Sequence, residues 1–200
     1  MSNSPLQVIL ASQSAYRREL LSRLWSDFQT CPADIDETPQ PGEAPAALAA
    51  RLAAGKAGKV ADQEPQALVI GSDQVAALGD TPLGKPGSAD KAAAQLAACS
   101  GKTVVFCTAV AVLCRDTGFS ASHTDITTVR FRTLADAEIQ AYLRLDEPWD
   151  CAGSFKSEAH GSLLFTAIEN SDPTALIGLP LIWVGNCLRA AGLNPLLQQR

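Results

Sequence analysis

Two runs, Lys102 to Cys114 and Phe119 to Arg132, read as long strands, and Arg115-Asp116-Thr117-Gly118 between them is a hairpin signal. They constrain the fold more than any other feature, because they require an antiparallel pair within the sheet. The rest of the chain alternates short apolar runs with helical patterns. Gln7 to Ala11 reads as a buried strand, and a helix follows from about Ala15 to Ser26. Phe28 to Cys31 is a short strand, and Pro32 to Gly42 a Pro- and acid-rich loop. Ala44 to Ala61 is Ala-rich, with Leu48, Leu52 and Lys56 in helical register. Ala67 to Ser72 is a second buried strand, with Val75 to Leu78 extending it across a bend. Ser88 caps a helix that runs through Cys99. Leu134 to Leu145 is helical, Ser162 to Ile168 a strand, and Pro180 to Ala191 a last helix with Gly192 beyond its end. Strands alternating with helices, plus one hairpin, predict an α/β fold with a mixed sheet.

The chain has 200 residues, so a single domain with room for two lobes is expected. Hydrophobic residues make up 46%, enough for a sizeable core. Lys+Arg is 16 against 21 for Asp+Glu, a net charge of -5. That balance argues against a general nucleic-acid binder, while a small anionic ligand needs only local positive charge. The six cysteines form no C-x-x-C pair and there are only two histidines, so a zinc site is not expected. The N-terminal apolar run is too short for a signal peptide, and no segment approaches the ~18 apolar residues of a membrane span. These features predict a cytoplasmic chain with reduced thiols and no membrane partner.

Four clusters carry chemistry. The first is ASQSAYRRELL, Ala11 to Leu21, which places Arg17 and Arg18 in the opening turn of a helix. That end carries partial positive charge and ordinarily favours Asp or Glu. A bound anion would resolve the conflict, since helix starts with free N–H groups bind phosphate and Ser12 and Ser14 add hydroxyls. The alternative is that Ser14 merely caps and both arginines are solvated. The second is Asp34-Ile35-Asp36-Glu37-Thr38-Pro39, where carboxylates could hold Mg²⁺ beside substrate phosphates or simply face water. Lys56 and Lys59 follow on the next helix and are surface lysines by default.

The third cluster is Val69-Ile70-Gly71-Ser72-Asp73-Gln74, with Leu83-Gly84-Lys85-Pro86 close behind. Ligands of α/β sheets gather at the carboxyl ends of strands, and an Asp there can bind metal or polarise water. It can also be a turn residue. Lys85, between Gly and Pro, is rigidly presented and suits a phosphate. The fourth is Cys151-Ala152-Gly153-Ser154-Phe155-Lys156-Ser157-Glu158, whose small residues would let backbone approach a ligand. Phe155 could equally be core, with Lys156 exposed. There is no P-loop and no nucleophile elbow. Neither His123 nor His160 lies beside a partner motif for a triad.

In order, ILASQSAYRRELL, DIDETP, GSDQV, LGKP, CAGSFKSE and LIGLPL resemble the Maf family of nucleoside triphosphate pyrophosphatases, from about Val8 to Pro195. Gln74 after the aspartate and the late FKSE look most like the branch that acts on 7-methyl-GTP. The branch that acts on dTTP and UTP usually has Thr at the first position and a different, glycine-rich late motif. Ala15 departs from the family's common Pro but suits a helix. Tyr16 is an aromatic where a larger one would fit. The resemblance implies a single domain of two lobes around a central cleft, with a mixed twisted sheet similar to inosine triphosphatases. It implies cleavage between the α- and β-phosphates with a divalent metal, Mg²⁺ or Mn²⁺. Asp73 would be the proton acceptor and, with Glu37, a metal ligand. Ser12, Arg17, Lys56 and Lys85 would bind phosphate, and Tyr16, Gln74 and Glu158 would set base preference. A homodimer is common in such enzymes, though nothing in this sequence demonstrates one. Two other expectations stay open: a pyrophosphatase for dTTP, UTP or modified pyrimidine triphosphates, and a nucleotide-sensing regulator of septum formation without turnover.

Overall fold

A computed structural model describes residues 6–197. Seven strands form one mixed sheet. β1 (Val8–Leu10) lies between β2 (Phe28–Thr30) and β3 (Leu68–Leu78), parallel to both. β5 (Thr103–Cys114), β6 (Phe119–Phe131) and β7 (Phe165–Glu169) continue the sheet antiparallel, in the order β2-β1-β3-β5-β6-β7. β4 (Thr81–Leu83) pairs with the far end of β3. It carries Pro82, and an edge strand is where a residue without an N–H is tolerated. The helices are α1 (Ala15–Ser22), α2 (Pro45–Gln63), α3 (Ala89–Cys99), α4 (Asp136–Asp146) and α5 (Leu181–Ala190).

Side chains alternate across a strand, so β3 and β5 sort their residues between two helical layers. Ile9, Val69, Val75, Cys107, Ala109 and Ala111 face α2. Val8, Leu10, Ile70, Val110 and Val112 face α1 and α5, while Ala76, Val104, Phe106 and Val129 face α3 and α4. Each fully buried Leu, Ile or Val in these layers contributes roughly 1.5–3 kcal/mol. α2 starts on Pro45, a residue pre-set for the first helical position, and is rich in Ala. Its small face lies very close to β3. A Cβ added to Gly71 would fall 2.4 Å from Ala53 O and 2.5 Å from Ala57 N. Glycine is required at that position by space alone, and the close approach brings Lys56 against the strand.

Several boundaries differ from the sequence reading, each for a local reason. β3 runs unbroken through Gly71-Ser72-Asp73, where a bend was expected, because β5 pairs with it from Val69 to Leu78. β4 has no counterpart in the sequence reading. α1 ends at Ser22, short of Ser26, as Arg23 N and Leu24 N turn to the carbonyls three residues back. α4 begins at Asp136, where Glu138 Oε2 accepts from Ala135 N at 2.8 Å. Residues His160–Leu164 form a 3-10 turn, so the last strand starts at Phe165 and not at Ser162.

Candidate active site

β3 is paired along one edge only in part. Leu68–Ile70 bond to β1 and Ala76–Leu78 to β4, which leaves the edge from Gly71 to Val75 open. A cavity of about 1030 Å³ wraps around that edge. Asp73 and Gln74 are adjacent and therefore point to opposite faces of the sheet. Both still border the cavity, because no strand separates them there.

On the α2 side, Lys56 is buried and not a surface lysine. Its Nζ donates to Asp73 Oδ1 at 2.6 Å and lies 2.6 Å from Glu37 Oε1. Asp73 is 8% exposed, and its Oδ2 takes no hydrogen bond from the described residues. Glu37 is exposed, but its loop is fastened to α2. Lys59 donates to Asp34 O, Ile35 packs against Gly55, and Arg51 donates to Thr38 O and to both oxygens of Glu43. Positions 51, 55 and 59 lie on one helical stripe, so α2 holds the acidic loop along its length. Arg51 also keeps the Glu43 carboxyl down at about 2.

The start of α1 forms a second wall. Ser14 Oγ accepts from Arg17 N at 3.3 Å, and Ser12 Oγ accepts from Ser14 N at 3.1 Å. Ser14 is thus a cap, as one of the two readings held, and Ala15 and Tyr16 still present their first-turn amides beside the cavity. The two arginines part ways. Arg17 turns inward and donates from Nε to Gly178 O at 3.0 Å. Burial lowers its guanidinium from the ordinary value, and Asp73 and Glu37 oppose that shift. Arg18 is exposed and does not line the cavity. Lys85 reaches the cavity from the loop after β4 and is exposed.

The opposite sheet face carries a polar row. Gln74 lies across from Thr108, and Thr108 across from Asp125. All three strands grip the loop before α5. Ser72 Oγ donates to Gly178 O at 3.1 Å, Thr108 Oγ1 to Ala175 O at 2.9 Å, and Ser171 Oγ to Asp125 Oδ2 at 2.6 Å. Asp172 knots the same loop. Its carboxylate accepts from Thr174 N, Thr174 Oγ1 and Ile182 N at 2.7–2.9 Å. Gly178 sits at φ 135°, a conformation that favours glycine, with Arg17 packed on it.

CAGSFKSE divides its labour. Phe155 is core, edge-to-face with Phe106 and Phe165 at centroid separations of 5.3 and 4.7 Å. Lys156 turns away, donating to Asp146 O at 2.8 Å. Cys151, Ser157 and Glu158 border the cavity. Tyr16 OH lies 3.8 Å from Cys151 Sγ. Burial and the nearby Cys151, Asp150 and Glu158 raise the Tyr16 hydroxyl well above its ordinary value, and burial raises the Cys151 thiol to about 11. This end of the cavity is acidic and aromatic. His123 stacks on Trp183, and His160 pairs with Asp146; neither lines the cavity.

The structure therefore brings Ser12, Tyr16, Arg17, Glu37, Lys56, Asp73, Gln74, Lys85 and Glu158 around one cavity. A family model described as Maf-like protein matches residues 7–191.

The chain belongs to the Maf family.

This Maf-family chain is 55% identical to a 7-methyl-GTP pyrophosphatase of Polaromonas sp., over 93% of this chain and 85% of that one. It is 51% identical to a 7-methyl-GTP pyrophosphatase of Albidiferax ferrireducens, over 97% and 98% of the two chains. The protein of the same name from Bordetella pertussis is 53% identical over 96% of each. Among solved structures, a HAM1 protein from Coxiella burnetii is similar at TM-score 0.44 and 17% identity, covering 63% of this chain and 73% of that one. No helix among the described residues is long and apolar enough to cross a membrane.

Proposed function

We propose that this chain hydrolyses 7-methyl-GTP to 7-methyl-GMP and pyrophosphate in the cytoplasm. The coarse class rests on the relatives: the chain is a hydrolase acting on acid anhydrides, within a family whose curated members at 51–55% identity are named pyrophosphatases. The observation that carries the finer reading is the polarity of the cavity. Arg17 and Lys56 stand with Asp73 and Glu37 in one part of the cavity, Lys85 adds a cation to its lining, and Asp150 and Glu158 lie near Tyr16 without a matching cation in contact.

A triphosphate placed against the start of α1 would meet the amides of Ala15 and Tyr16, with Arg17 and Lys85 sharing its charge. Asp73 Oδ2 is an open carboxylate oxygen on the cavity wall, and it would accept a proton from the attacking water. Lys56 holds Asp73 in place through Oδ1.

The acidic pair fits a divalent cation. Glu37 and Asp73 each place an oxygen 2.6 Å from the same ammonium, so the two carboxylates converge, and an ion held by both would displace or sit beside Lys56 Nζ. Two carboxylates plus phosphate oxygens are a ligand set that would suit Mg²⁺ or Mn²⁺. Such an ion, when bound, would neutralise phosphate charge and acidify water.

At the other end, Tyr16 would offer an aromatic face to the cationic 7-methylguanine ring. Glu158 would accept from its N1–H and amino group, and its charge would favour the methylated base over guanine itself. Pyrophosphate release with Mg²⁺ across 7-methyl-GTP, GTP, dTTP, UTP and CTP tests the proposal. It expects 7-methyl-GTP first, by tenfold or more in kcat/KM. A pyrimidine triphosphate ranked first would overturn the base assignment. Binding without release from any of the five would identify a sensor instead.

A further inference from the structure

Gln74 Nε2 has three acceptors around it: Thr108 Oγ1 at 2.9 Å, Ala175 O at 3.0 Å and Leu176 O at 3.0 Å. An amide nitrogen carries two hydrogens, so its donating capacity is fully used by the protein. The amide cannot be turned over. Oε1 would then face two carbonyl oxygens, which have no hydrogen to give. The third partner is closed to it as well, because Thr108 Oγ1 spends its hydrogen on Ala175 O at 2.9 Å. Thr108 is completely buried, one hydroxyl in the otherwise apolar run Val104 to Cys114, directly opposite Gln74 in the β3–β5 ladder.

We propose that Thr108 is a positioning residue for base selection: by donating to Ala175 O it seats the pair of carbonyls, Ala175 O and Leu176 O, that takes up both Gln74 hydrogens, so that only Oε1 faces the cavity. Gln74 is then an obligate hydrogen-bond acceptor, blind to any base edge that presents an acceptor there. Glu158 borders the same cavity as a second acceptor, and two acceptors would suit adjacent N–H donors of the kind on a guanine edge. Uracil and thymine offer one N–H flanked by two carbonyls, and those carbonyls would meet oxygen. The inference rests on the reading of this end of the cavity as the base end.

The test is base discrimination in Thr108→Val, which keeps the shape and removes both hydrogen bonds. The ratio of kcat/KM between 7-methyl-GTP and dTTP should fall at least tenfold, mostly through KM, and Thr108→Ser should restore it. Loss of stability alone lowers both substrates together and leaves the ratio fixed. Should the valine variant not fold, Thr108→Ala fits any space the threonine fills and gives the same reading. If the wild-type chain favours GTP over 7-methyl-GTP, the 7-methyl-GTP assignment fails but the ratio is measured between GTP and dTTP, and its collapse in Thr108→Val still supports the lock; a wild-type chain that favours dTTP or UTP would overturn it. An unchanged ratio, failure of serine to restore it, or a wild-type chain indifferent to the base would overturn the proposal.

Discussion

Lys56 Nζ and Asp73 Oδ1 stand 2.6 Å apart at the seam between α2 and β3, and both side chains are about nine-tenths buried. The pair ties the chemistry of the cavity to the packing of the fold. Lys56 reaches Asp73 only because Ala53, Ala57 and Gly71 let the helix lie almost on the strand.

Lys56→Met should therefore damage activity and stability together. Asp73 would lose the one donor it has among the described residues, and Glu37 its anchor. Leaving a buried polar group unpaired costs about 1–3 kcal/mol. We expect kcat/KM to fall at least 100-fold, with a lower thermal midpoint; full activity in this variant would exclude a role for the pair.

Gly71→Ala should unfold the chain more readily while touching no substrate. The added methyl meets backbone atoms at 2.4 and 2.5 Å, and helix and strand must separate to admit it. Overpacking of this kind costs about 1–3 kcal/mol. At a size of 200 residues that lowers the midpoint by several degrees, which calorimetry would show.

Acid should release the loop that carries Glu37. Arg51 holds the Glu43 carboxyl at about 2, below its ordinary 4.5. A depressed carboxyl stabilises fully above the ordinary value and loses that contribution as pH falls towards the folded one. Exchange of the Gln40 amide, which donates to Glu43 Oε2, should accelerate between about pH 4.5 and 2 in the wild-type chain, measured against the intrinsic rate. In Glu43→Gln that dependence should be absent, and a matching profile in the two chains would contradict the fastening.

Glu158→Ala should narrow the preference for 7-methyl-GTP over GTP with little effect on GTP turnover. Glu158 borders the cavity and, with Asp150, acts electrostatically on Tyr16, so removing its charge should weaken the attraction for the cationic base more than for the neutral one. An intact preference would remove Glu158 from base selection.

Much of this was legible in the sequence, and the limits are physical. Long β5 announces itself by its apolar run, and β6 by its alternating pattern just past the Gly118 turn. The misplaced charge of Arg17 points to a residue of the cavity wall, because helix dipoles are a local matter. Lys56 was opaque: an Ala-rich helix does not say which face meets a Gly on a distant strand. The open edge of β3 was equally invisible, since it exists only because β1 and β4 stop short. Asp172 and Thr108 position the site from outside the motifs. The Ser171-Asp172-Pro173-Thr174 turn chemistry and the lone hydroxyl in an apolar strand were the available signals, but neither names its partner.

The most direct test of the account is Asp73→Asn, with nucleotide binding and pyrophosphate release measured on the same preparation. Asparagine keeps an oxygen for Lys56, so the fold and the cavity should persist. The account predicts binding within a few-fold of wild type and turnover reduced by about 10²–10⁴-fold, the range for loss of a general base. Turnover close to wild type would contradict the role of Asp73 and, with it, the reading of this cavity as the place where the phosphate bond is cut.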